Sequence, residues 1–116
     1  IYQNADAYIT MTFQDNCPTA VLEAMACGLP ILYSSSGGIP ELVDKYSGLG
    51  IKVSESWHTK QVPRKTEIAD GMRFIIENKI NMSQASRNRS VELFDTKKWI
   101  IKHKDIFEKL LDQKIC

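Results

Sequence analysis

The chain has 116 residues with 15 Lys+Arg against 14 Asp+Glu, a formal charge of +1, and is 43% hydrophobic and 25% charged. These figures exclude collagen-like, low-complexity and strongly disordered chains, and the near-zero charge leaves no basic footprint for nucleic acid. One domain at most is expected, long enough to bury roughly two-thirds of its unfolded surface.

In chain order, Ile1 to Asp6 reads as the end of a helix running straight into a strand, with no methionine and no capping signal before it, so upstream sequence is expected to be missing. Ala7 to Thr12 is a short apolar, β-branched run, long enough for a buried strand and too short for a helix. Pro18 then opens a helix-forming stretch through Cys27, at the first helical position that suits proline, and Gly28 stops it. Pro30 to Tyr33 is a second buried strand, Ser34 to Gly38 a turn, Ile39 to about Lys45 a short helix, and Gly50 to Val53 a third strand. This alternation is the signature of parallel βαβ units, so the expected fold class is α/β: a Rossmann-like, doubly wound parallel sheet with flanking helices. Residues 1–53 form its βαβαβ half, 54–66 an unpatterned surface loop, and 67–116 helices. There, Ile68, Met72, Ile75 and Ile76 mark one buried helical stripe. A weaker helix spans about Ser83 to Phe94, and Trp99, His103, Ile106, Phe107, Leu110 and Leu111 give the last helix an apolar face. The chain shows no internal repeat.

Cys17, Cys27 and Cys116 are an odd set without a CxxC pair or a histidine at zinc-ligand spacing, so neither a disulfide frame nor a metal site is indicated, and a cytoplasmic setting is expected. No run approaches the ~18 consecutive apolar residues of a membrane span, and there is no signal-peptide pattern at the start. Lys97 to Lys104 could touch an anionic membrane face from the cytoplasmic side, although a solvated helix face is the default reading.

The stretch from Asp15 to Gly28 is the most informative. At about 100° per residue, Val21, Leu22 and Met25 share one side of the helix, and Glu23 lies almost opposite with Thr19, Ala20, Ala26 and Cys27. A lone carboxylate among small side chains marks a face that something approaches closely, or else a helix packed on both sides whose glutamate makes a structural pair. Asp15 precedes the helix at the C-terminal end of the first strand, where open parallel sheets bind ligands. It points to a ligand site or simply complements the helix N-terminus. The N–H groups at the helix start suit a phosphate; Thr19 offers N–H and hydroxyl, Pro18 no N–H. Gly37 and Gly38 form either an anion-binding turn or a plain one. His58 and His103 stand alone, with no nucleophile motif, no GxGxxG, no P-loop and no HExxH in the chain.

Asp15 and Glu23 have seven residues between them, followed by Ala24-Met25-Ala26-Cys27-Gly28-Leu29-Pro30, then Gly37-Gly38-Ile39-Pro40-Glu41, then Phe94-Asp95-Thr96-Lys97-Lys98-Trp99. In that order these features resemble the retaining GT-B glycosyltransferases of the group 1 (family 4) type, over nearly the whole chain. The resemblance implies an incomplete C-terminal, donor-binding domain with an absent N-terminal acceptor domain. It further implies transfer, with retention, from a UDP-, GDP- or ADP-sugar to a surface polysaccharide or glycolipid acceptor. Glu23 would then hold the ribose hydroxyls, and Thr19 with neighbouring N–H groups such as that of Cys17 the diphosphate. Asp15, the catalytic candidate, would hold the transferred sugar together with Asn16. No cofactor and no metal are implied. Asp15 stands where the family usually has Glu, keeping the charge on a shorter arm, and the loop from Ser54 to Lys65 is longer than usual. The usual Arg and Lys against the diphosphate lie in the absent part, so this chain alone is expected to be inactive. A GT-B sugar-nucleotide epimerase and a non-catalytic interaction domain are the alternatives.

Overall fold

Three short strands pair in parallel to make the sheet on which everything else is hung. In the computed structural model, which describes residues 1–113, β1 (Tyr8–Thr10), β2 (Ile31–Ser35) and β3 (Gly48–Lys52) lie side by side in chain order. Tyr8 pairs with Ile31, and Ile31 in turn with Gly48. β2, with neighbours on both edges, is buried from Ile31 to Ser34, as a parallel strand covered on both faces must be. Alternation along β2 divides the core. Ile31 and Tyr33 face Val21, Ala24, Met25, Ile39 and Val43 on one side, while Leu32 faces Ile51, Ile75 and Met82 on the other.

The first side is covered by α1 (Thr19–Ala26) and α2 (Ile39–Leu42), the second by α3 (Lys65–Glu77). The α/β, doubly wound expectation therefore holds, with shifted boundaries. β1 is shorter than the expected 7–12, β2 runs on through Ser35, and β3 begins at Gly48. Pro18 is the N-cap of α1 and not its first helical residue, because its carbonyl accepts from Val21 N–H at 3.0 Å while its own backbone is extended. Gly28, at φ +76°, ends the helix as expected. The loop that was expected to reach residue 66 stops at Arg64, since the Glu67 carboxylate returns to the Arg64 backbone N–H at 2.8 Å and caps α3.

The expected stripe on α3 is partly wrong. Ile75 and Gly71 are buried and Ile68 is half-buried, but Met72 is 46% and Ile76 56% exposed. The line of contact with the sheet runs through 68, 71 and 75, and a pattern of apolar side chains cannot register the glycine in its middle. α4 (Lys79–Leu93) starts four residues before the expected Ser83, directly after Asn78 closes α3.

α4 buries Met82, Ser86 and Ser90 and docks largely through hydrogen bonds. The Ser86 hydroxyl donates to the Leu29 carbonyl at 2.7 Å, Ser83 donates to Gly28, and Arg87 donates to the Ala26 carbonyl. Arg89 donates to the Leu42 and Glu41 carbonyls at 2.6 and 3.1 Å and meets Asp44 at 3.2 Å. The carbonyls of Ala26, Gly28 and Leu29 at and just after the end of α1, and of Glu41 and Leu42 at the end of α2, are thus satisfied by α4.

α5 (Thr96–Gln113) is capped by Asp95, whose carboxylate accepts from the Lys97 and Lys98 N–H groups at 2.9 and 3.1 Å. From Thr96 to Asp112 every residue but His103 is exposed, the apolar face included. His103 stacks on Trp99 with ring centroids 3.8 Å apart. Cys116 lies outside the described residues; Cys17 and Cys27 are exposed and unbridged. Among the described residues no helix is long and apolar enough to cross a membrane.

Asp44 ties this framework to pH. Burial works to raise its carboxyl, but the Ser47 hydroxyl at 2.7 Å, the Ser47 and Tyr46 N–H groups and the nearby Arg89 prevail and hold it below its ordinary value. A depressed folded pKa stabilises the fold above the unfolded value of about 3.9 and ceases to do so as pH falls through and below it. Urea midpoints should therefore drop on acidification below about pH 4, and Asp44→Asn should flatten that acid limb; an unchanged slope would disprove the assignment.

Candidate functional site

In a parallel sheet the segments leaving the strands emerge at one edge, and here three of them meet: residues 11–18 after β1, 36–38 after β2 and 53–64 after β3. The segment after β1 is held in an unusual shape. Gln14 has φ +56°, a left-handed backbone that a non-glycine residue adopts at some cost. Its N–H donates to the Ser36 hydroxyl at 3.1 Å, and that hydroxyl reaches the Thr12 carbonyl at 3.4 Å. The Gln14 side-chain amide donates to the Ser56 carbonyl at 3.4 Å, linking the first segment to the third.

The glycine pair locks the arrangement. Gly38 N–H donates to the Asp15 carbonyl at 2.8 Å. A Cβ at Gly38 would sit 1.8 Å from the Asn16 carbonyl oxygen, and one at Gly37, where φ is +64°, 2.5 Å from that of Asp15. These are backbone-to-backbone approaches that only glycine allows. As an anion turn the pair is thus limited, because the Gly38 N–H is already taken; its visible use is to buttress the Asp15 segment.

Above the buttress lies a cavity of about 810 Å³ lined by residues 12–16 on one side and 56–60 on the other. A second, of about 420 Å³, adjoins it and is lined by Phe13, Gln14, Asn16, Ser36, Gly37, Glu55 and Trp57. Asp15 is half-buried in the first and Asn16 shares both. Cys17, Thr19 and Glu23 are exposed and line neither. Glu23 projects one turn into α1 from the face opposite buried Val21 and Met25, where its carboxylate accepts from the Tyr2 hydroxyl at 3.2 Å. Tyr2 meets Tyr8 edge-on at 6.0 Å, and its phenol is pushed up in pKa by desolvation and then by Glu23 as acceptor and as charge.

Asp15 and Asn16 line the larger cavity, and the residues that line it with them carry no periodic signal in the sequence. Trp57 and His58 line the larger cavity, though they stand over 40 positions away in a segment without period. Only the position of that segment after a parallel strand signals its presence here. His103 is far along the chain on α5 and lines neither cavity. Among the described residues no group of three or more His, Cys, Asp or Glu is placed to hold a metal ion.

The family model for glycosyl transferases group 1 matches residues 1–91. A solved structure of sucrose-phosphate synthase from Thermosynechococcus elongatus superposes with a TM-score of 0.80 at 19% identity, covering 97% of this chain and 27% of that one. At this identity the likeness speaks for the fold, the GT-B glycosyltransferase kind, and the chain spans about a quarter of the relative's length. No curated protein sequence matches the chain.

Replacing Gly38 by Ala should displace residues 14–16 or lower thermal stability, because a Cβ only 1.8 Å from a backbone oxygen cannot be relieved by a rotamer change. The expected loss is at least ~1 kcal/mol, roughly 4 °C in Tm, with shifted amide resonances at Gln14 to Asn16. A variant with wild-type Tm and unmoved amides would show that the contact does not shape the site.

Proposed function

The chain belongs to the glycosyl transferases group 1 family, and on that premise we propose that it forms the donor-binding side of a retaining glycosyltransferase. The donor is a nucleotide-sugar of the UDP, GDP or ADP class. The acceptor is a saccharide or lipid-linked saccharide brought by a companion domain, with a surface polysaccharide or glycolipid as product. The observation that carries this reading is the placement of Asp15 and Asn16 in the large cavity at the C-terminal edge of the parallel strands, where such sheets take their ligands.

In the reaction, the bond from the sugar's anomeric carbon to the diphosphate oxygen breaks, its electron pair leaving with the nucleoside diphosphate, and a bond to an acceptor hydroxyl oxygen forms on the same face as that hydroxyl's proton passes to the departing phosphate. Asp15 and Asn16 orient the sugar through its hydroxyls. The exposed N–H groups around Cys17 and Thr19, at the positive end of α1, offset charge on the diphosphate, a contribution of about 0.3–1 kcal/mol when exposed. Glu23 takes the ribose hydroxyls, which replace the Tyr2 hydroxyl it now accepts from. Transfer needs donor and acceptor held together, so the isolated chain is inactive on this reading.

The test is transfer of labelled sugar by the complete enzyme. Hydrogen bonds to a charged carboxylate are each worth roughly 1.5–3 kcal/mol, so Glu23→Ala should weaken donor binding about 10- to 100-fold. Asp15→Ala should lower kcat. Wild-type activity in both variants would point to a non-catalytic domain, and donor isomerisation without acceptor to an epimerase.

A further inference from the structure

Trp57 is the largest side chain at the site and 91% of it is exposed. Its backbone, by contrast, is well fixed. The Ser56 hydroxyl accepts from the N–H groups of His58 and Thr59 at 3.3 and 3.1 Å and pairs with the Thr59 hydroxyl at 3.0 Å, so that Trp57 sits in a closed turn. The Ser56 carbonyl accepts from Gln14, which ties that turn to the segment carrying Asp15. An indole presented this way, on an anchored turn and beside a cavity, leaves nearly all of its apolar surface uncovered.

The surroundings say what could cover it. Trp57 lines both cavities, and the lining around it carries Asp15, Asn16, Thr12 and Thr59 on the first side and Glu55 and Ser36 on the second. An apolar ligand would leave these polar groups unpaired, at a cost. An anion would meet the carboxylates of Asp15 and Glu55, with Lys60 the one Lys or Arg among the described lining residues. A pyranose suits both halves of the arrangement. Its ring carries axial C–H groups that pack on the negative face of an indole, and its rim of hydroxyls is donor and acceptor to carboxylate, amide and hydroxyl.

We infer that Trp57 is a carbohydrate-stacking platform, against which a pyranose ring packs while its hydroxyls bond to Asp15 and Asn16. The inference rests on the transferase reading above and adds to it a sugar-recognising residue on the loop after β3. The pyranose is the transferred sugar of the donor or the terminal sugar of the acceptor; a nucleobase on the same ring would instead weaken the free nucleoside diphosphate along with the nucleotide-sugar.

The experiment compares Trp57→Ala and Trp57→Phe with wild type in the complete enzyme. It uses initial rates with varied nucleotide-sugar and varied acceptor, and calorimetry with the nucleotide-sugar and with the free nucleoside diphosphate. Trp57→Ala should raise KM for one of the two sugars at least ~10-fold, with kcat within about threefold. Affinity for the free diphosphate should be unchanged, and Trp57→Phe should recover most of the loss. A rise in donor KM identifies the transferred sugar and a rise in acceptor KM the acceptor. If transfer proceeds and neither KM moves, or if the free diphosphate is weakened as much as the nucleotide-sugar, the platform is refuted while the transferase reading stands. If wild type shows no transfer, that reading fails instead. The calorimetric advantage of nucleotide-sugar over diphosphate then decides the platform: its presence in wild type and loss in Trp57→Ala supports it, and its absence overturns it. With its ring so exposed, Trp57 contributes little to the fold, so the variants report on the site.

Discussion

β2 is the constraint from which the rest follows. It is hydrogen-bonded along both edges and covered on both faces, so its side chains have no choice of environment. Ile31 and Tyr33 require α1 and α2 on one side; Leu32 requires α3 on the other. A one-residue slip would exchange the two faces and leave both cores with the wrong shapes. Because the strands are parallel, this arrangement also gathers the segments after β1, β2 and β3 at one edge. The cavity beside Asp15 is therefore a consequence of strand direction before it is a consequence of any site residue.

What strand direction gathers, backbone contacts then shape. The turn after β2 approaches the segment after β1 so closely that neither Gly37 nor Gly38 has room for a Cβ. The Gly38 N–H fixes the Asp15 carbonyl, and the Ser36 hydroxyl supports Gln14 in its left-handed conformation. Three neighbouring residues of one turn thus hold three of the next segment in place. Asp15 keeps its position because the chain around it has few alternatives, a rigid support of the sort that a binding carboxylate needs.

Legibility in the sequence followed the kind of force involved. The strands and α1 were visible because burial selects apolar and β-branched residues at recognisable spacing, and Gly28 was visible because left-handed backbone selects glycine. Asp15 was singled out through strand direction and Asn16 through the family resemblance, and both line the larger cavity. α4 was blurred because it buries serines and binds through Ser83, Ser86, Arg87 and Arg89 to carbonyls, and hydrogen bonds to backbone leave no periodic trace. The stripe on α3 was misjudged at Gly71 for the same reason in reverse: contact made by an absent side chain. Trp57 and His58 were invisible as site residues because a loop has no period, and only the fold brings it opposite Asp15.

The charges of the site bear on how it could work. Asp15 and Glu55 line the two cavities, with Lys60 the one Lys or Arg among the described lining residues, and Glu23 projects from α1 outside both. On the transferase reading, a diphosphate placed there would face more negative than positive charge, and a helix end supplies only about half an elementary charge against it. The deficit is too large for α1 to meet alone, because a leaving diphosphate gains charge in the transition state and must be stabilised where that charge develops. On that reading a diphosphate placed there needs more positive charge than Lys60 and the start of α1 supply. The same imbalance favours a division of labour within the chain: carboxylates and the indole for the neutral sugar, the helix end for the phosphates.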